Sequence, residues 1–368
     1  MHTNRFYSLD VLRGFAALSV VLGHFVIDGV TSVDGKIPQA SQLSAVWNFS
    51  FIYAVDFFLV LSGFILTHSY FHRMELSFKD FTLRRFLRLY PLHFVTLLAT
   101  IAIYLIFELG LKKEPVLLHL LFIHNLGFGP SGLPLNVPAW TISIEFWLNV
   151  ALFAVLLFIR PNTLLKRAGF IALAGLCFAL VYKVVGHMDA SSQHFKGVIN
   201  LGLVRCLGTF TLGILTYELY LKCKDWQPAP AITLAGITAF FAIILFMPGH
   251  VALGFVVPLV FMAVVLVGAC AEAQTVWLSR YLVWLGNISF AVYLVHNPIL
   301  RLFRETDLTK SVTTGLGFVL VTILVAGLLH RYFERPFYIW SLRKTALLRA
   351  KDEAPRKSIG TDTGNGAA

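Results

Sequence analysis

Charge is scarce in this sequence. Asp, Glu, Lys and Arg together make up 13% of 368 residues, against 57% hydrophobic residues and a mean hydropathy of +0.76. Soluble domains carry about 25% charged residues, so an ordinary soluble fold is excluded. Cysteine is also rare. Cys177, Cys206, Cys223 and Cys270 fall inside apolar runs or at their ends, without the paired spacing of a metal site or a disulfide framework. They read as small apolar fillers, and no metal is expected. No small-residue cleavage site follows the first apolar run, which itself holds Asp10, Arg13 and His24; a cleaved signal peptide is excluded. No nucleic-acid-binding motif accompanies the net charge of +11, whose basic residues are spread over loops and tail. An internal repeat is lacking as well, which argues against the many transporter folds built from duplicated halves.

What the chain has in abundance is long apolar runs. A helix crossing a hydrocarbon core about 30 Å thick needs roughly 20 apolar residues, and such runs lie near 9–27, 46–66, 84–107, 138–159, 168–186, 198–221, 230–247, 250–269, 282–300 and 312–332. The expected fold is therefore all-α, a polytopic bundle of about ten membrane helices. The run PVLLHLLFIHNLG at 115–127 is too short to cross and reads as an interfacial or re-entrant piece. With a cytoplasmic N-terminus, Lys and Arg concentrate in the inward-facing segments, as the positive-inside rule requires. Both termini are then cytoplasmic. Residues 1–345 form one membrane domain, and the polar, Gly-rich 346–368 read as a disordered tail.

Some of these spans carry groups that lipid penalises by about 2.5–3.5 kcal/mol at mid-helix. Arg13 and His24 are 11 residues apart, which at about 100° per residue puts them within about 20° of one face and about 16 Å apart along the axis. Arg13 alone is equally well explained by snorkelling to headgroups, and His24 alone by packing. Their shared face favours one wall of a cavity, with Asp10 one turn away as a partner for Arg13. Asp56 is placed near mid-membrane in the second span, and Glu145 and Arg205 in the outer halves of the fourth and sixth. A Glu145–Arg205 salt bridge would justify both; a catalytic or substrate-binding role for Glu145 is the competing reading. Arg84, Arg85 and Arg88 open the third span, either as topology signals or as a dock for phosphate, which guanidinium groups bind bidentately. His296, near the outer end of its span, reads as structural.

The strings LDVLRGFAALSVVLGH, VDFFLVLSGF, RRFLRLYP, PAWTISIE, LGNISFAVYLVH and ERP, in that order over residues 8–337, resemble the blocks of the membrane acyltransferase-3 family. The resemblance implies a bacterial inner-membrane enzyme that moves an acyl group, often acetyl, from cytoplasmic acyl-CoA to a hydroxyl of a carbohydrate such as exopolysaccharide or O-antigen. It places the family's essential arginine and histidine on Arg13 and His24, its basic motif on Arg84 and Arg85 with Arg88 beside them, and its acidic position on Glu145. On this reading the arginines hold the CoA phosphates, and His24 is general base or transient acyl carrier. Arg13 orients the donor or stabilises developing charge, and Asp56 or Glu145 fixes the histidine tautomer. Longer relatives append an SGNH-type domain; its absence here implies that the chain finishes the reaction alone or passes the acyl group to a separate periplasmic partner. No bound cofactor is implied. From another class, a proton-coupled transporter or flippase would also use buried His, Asp, Glu and Arg.

Overall fold

Hydrocarbon offers no partner to a backbone N–H or C=O, so each apolar run must satisfy its own hydrogen bonds by forming a helix. The computed structural model describes residues 5–30, 50–72, 77–127, 135–197, 199–272, 280–308 and 312–344. Among them are helices α1 (Tyr7–His24), α2 (Tyr53–His72), α3 (Phe78–Ile106), α4 (Lys113–Leu120), α5 (Ala139–Phe158), α6 (Leu164–Val185), α7 (Leu201–Cys223), α8 (Pro230–Phe246), α9 (Val257–Cys270), α10 (Arg280–Glu305) and α11 (Val312–Leu329). A helix occupies each of the ten expected spans. Among the described residues, eight helical stretches are both long and apolar enough to cross a membrane; α8, at 17 residues, is a shorter apolar helix. A two-residue antiparallel ladder, His194–Phe195 with Ile199–Asn200, precedes α7. Residues 345–368, which include the expected tail, lie outside the described residues, as do residues 46–49 at the start of the second expected span.

Small residues set how closely the helices approach. A Cβ on Gly63 of α2 would overlap the Phe210 carbonyl of α7, and a Cβ on Gly213 of α7 would overlap the Val60 carbonyl of α2. Between α1 and α10, a Cβ on Gly286 would overlap the Asp10 carbonyl. Backbones in van der Waals contact are the usual basis of helix association in lipid. The centre of the bundle is apolar, built on residues such as Ala16, Val20, Phe57, Phe64, Ile288 and Val292. The outer faces are equally apolar: Leu176, Leu234 and Leu316 are each more than 60% exposed. A surface of that kind needs lipid as its solvent.

The short run at 115–127 forms α4 and a turn that packs into the bundle. Tyr90 donates to the Leu120 carbonyl at 2.8 Å, and Ser143 Oγ and Trp147 Nε1 donate to the Phe122 carbonyl at 3.1 and 3.0 Å. Phe122 is held at φ +58° and is buried.

Candidate active site

The close contact at Gly286 brings α1 and α10 together along a polar seam. Arg13 donates from Nε to Ser289 Oγ and from Nη2 to the Gly286 carbonyl, both at 2.9 Å. Asp10 sits 3.8 Å from Arg13, as its spacing predicts, and also takes Arg5 Nε at 2.6 Å. Arg5 in turn reaches Asn287 Oδ1 of α10.

At the other end of α1 stands a histidine pair. His24 Nδ1 lies 3.2 Å from Nε2 of the fully buried His296. Each Nδ1 also faces a carbonyl of its own helix, Val20 for His24 at 3.1 Å and Val292 for His296 at 3.2 Å. A carbonyl only accepts, so both Nδ1 atoms carry the proton. His296 Nε2 then accepts from His24, and the lone pair of His24 falls on its Nε2. Immediately after His24 the chain widens into a π-helical turn, Phe25–Val30, a deformation common at functional sites.

The arginine end of the seam opens into a cavity of about 1660 Å³ whose walls include Arg5, Asp10, Arg13, Arg88, Arg331 and Arg335. A narrower cavity of about 110 Å³ shares Arg13 and Arg88 with it and is lined further by Arg85, Glu145, Thr141 and Tyr293. Tyr293, bonded to Thr141 at 2.9 Å, places its ring 6.1 Å from that of His296. Neither His24 nor His296 lines either of these cavities; Tyr293 stands between the narrower one and the histidine pair.

Comparison with known proteins identifies the family. Residues 6–331 match the model of the acyltransferase-3 family, described as an acyltransferase domain. The chain belongs to this family. The acyltransferase is 30% identical, over 96% of its own length and 97% of the relative's, to acyltransferase MdmB of Streptomyces mycarofaciens. It is 23% identical both to a putative peptidoglycan O-acetyltransferase, YrhL of Bacillus subtilis, and to the peptidoglycan O-acetyltransferase OatA of Listeria monocytogenes. In each case 89% of this chain aligns with about half of the relative, 54% and 55%. No solved structure matches the chain. The protein is a multi-pass membrane acyltransferase, and the transporter reading is set aside.

The acyltransferase arranges the remaining charges differently from the expected pairing. Arg205 binds Asp56, not Glu145: Nη2 and Nε meet the two carboxylate oxygens at 2.6 and 3.1 Å. Thr209 adds a hydrogen bond at 3.1 Å, and Nη2 also donates to the Ile52 carbonyl at 2.8 Å. Asp56 sits in the first turn of α2, which puts it level with Arg205 near the start of α7. Both side chains are buried, so a bidentate pair is the arrangement that satisfies them. Glu145 instead accepts from Ser62 Oγ at 3.0 Å and faces the narrower cavity.

Of the basic cluster, Arg88 lines both cavities, Arg85 lines the narrower one, and Arg84 lines neither. Sequence reasoning read His296 as structural. Its signal was the spacing Ser289–His296, seven residues or about 20° apart on one face of α10, the counterpart of Arg13–His24 on α1. It passed over Arg331 and Arg335, which flank Glu334 in the ERP block. His330 binds Glu334 at 3.0 Å, and all four side chains line the large cavity.

Proposed function

We propose that the acyltransferase takes its acyl group, an acetyl by family resemblance, from acyl-CoA entering the large cavity, and delivers it to a hydroxyl of a cell-surface carbohydrate. The observation that carries this reading is the ring of guanidinium groups around a cavity larger than the roughly 300–1,000 Å³ of ordinary small-molecule sites. Arg88, Arg331 and Arg335 suit the phosphates of a nucleotide carrier. The narrower cavity leads its acyl end past Arg13, Arg85 and Glu145 toward the histidine pair.

On this reading His24 Nε2 takes the proton of the acceptor hydroxyl as its oxygen attacks the thioester carbonyl carbon. The C–S bond breaks, and the CoA thiolate recovers the proton from the imidazolium. Arg13 orients the donor, and His296 holds the His24 tautomer, the task first assigned to Asp56 or Glu145. The termini and the large cavity face the cytoplasm across the plasma membrane, and residues 1–345 act as the catalytic unit. A separate periplasmic partner receives the acyl group if the glycan is modified outside.

The test is transfer from labelled acetyl-CoA in membranes holding equal amounts of parent, His24→Ala or Arg13→Ala protein. Label leaving CoA only with the parent supports the reading. Acylation of glycan with CoA untouched overturns the donor assignment.

A further inference from the structure

Away from the histidine pair, His93 of α3, His119 of α4 and His124 of the following turn meet at one point. All three are buried, with 1%, 1% and 3% of their surface exposed. Their rings lie nearly parallel, with centroids 3.9 Å apart for His119–His124, 5.0 Å for His93–His124 and 5.4 Å for His93–His119. Each ring offers a nitrogen, and the three nitrogens lie within 4.8 Å of one another.

The hydrogen bonds around the cluster are those of a ligand set. His93 Nε2 donates to the His119 carbonyl at 3.2 Å, and His124 Nε2 donates to the Ala139 carbonyl at 2.8 Å. Those bonds fix both tautomers and leave the lone pairs on Nδ1. Neither Nδ1 has a hydrogen-bond partner, and neither does either nitrogen of His119. Metal-binding histidines characteristically donate their second N–H to a carbonyl in this way.

We infer that His93, His119 and His124 bind one divalent transition metal ion of the zinc class. Three neutral imidazoles suit zinc, with a fourth position left open, and exclude the hard cations that select oxygen. Nitrogens held at about 2.0–2.1 Å on a tetrahedral ion stand about 3.4 Å apart, so on binding the parallel rings turn out of their stack until their in-plane lone pairs meet at one ion. The ion fastens the turn after α4 to α3. Through the His124–Ala139 bond it also fastens the start of α5, where Asn136 and Val137 bond to Leu294 and Asn297 on either side of His296. The site is thus a clamp behind the histidine pair, and its existence does not depend on which acyl donor is used.

The experiment uses full-length protein in detergent, purified through a tag without histidines and stripped with chelator. Zinc or cobalt(II) is then added, excess ion is dialysed away, and bound metal is counted by mass spectrometry. One ion per chain, with the visible absorption of tetrahedral cobalt, is expected. His119→Ala should lose the ion, and His119→Cys should retain it with a new thiolate-to-cobalt charge-transfer band. A parent protein that retains no ion overturns the inference, whether or not the variants fold. So does retention unchanged in His119→Ala, or a His119→Cys cobalt spectrum identical to the parent's.

Discussion

At the scale of single residues, the chemistry rests on which nitrogen carries which proton. On the proposed mechanism His296 accepts from His24 and so directs the reactive lone pair to Nε2. His296→Ala should therefore lower kcat by about 10²-fold while leaving KM for the donor unchanged, since general-base terms are worth about 10²–10⁴. His24→Ala should fall to the membrane background. Parallel initial-rate series in donor concentration check both. The Asp56–Arg205 pair makes a different forecast. Breaking a buried pair leaves one charge stranded, at about 3–5 kcal/mol, so Arg205→Met should fold poorly. Asp56→Leu combined with Arg205→Met should recover much of the lost thermal stability in detergent. The alignment of Arg13 with His24 was legible in the sequence because it needs only the pitch of one helix. Partners across helices were not. Asp56 and Glu145 are both carboxylates, and nothing in a linear string says which one comes level with Arg205 once the helices are stacked. His296 lies 272 positions from His24, and His93, His119 and His124 come together only because the chain turns back at a non-glycine residue with positive φ.

At the scale of elements, glycine decides how near two helices can stand. Gly286 lets α10 touch α1 at Asp10, and that contact sets the reach of Arg13 to Ser289 and of His24 to His296. Gly286→Ala should cost about 1–3 kcal/mol through overpacking and should lower kcat by separating the two histidines. Gly317→Ala, where an added Cβ meets nothing within 4 Å, is the matched control and should leave both quantities unchanged. Thermal unfolding and turnover of the three proteins measure the difference. The ten runs were legible as helices because length and apolarity alone require it in lipid. The 115–127 run was legible only as too short to span, since its folding back depends on partners such as Trp147 and Ser143.

At the scale of the whole molecule, the six sequence blocks are scattered over more than 300 residues, yet the structure gathers them on connected walls. Arg5 at the start of the described chain and Arg335 near its end line the same cavity. Charge reversal at Arg331 should raise KM for acyl-CoA by about tenfold or more, as expected for the loss of a charge-assisted contact, with kcat held. Asn287→Cys, on the same wall, should be alkylated by a membrane-impermeant maleimide from the cytoplasmic side and shielded by CoA. The contact between α2 and α7 carries a further consequence. Bare backbone meets bare backbone at Gly63 and Gly213, and the Asp56–Arg205 bridge ties the same two helices nearer their ends. Two rods keyed together at separated points resist sliding and rocking against each other. On the proposed reading, the pantetheine arm and the acceptor move past a frame that these contacts tie together.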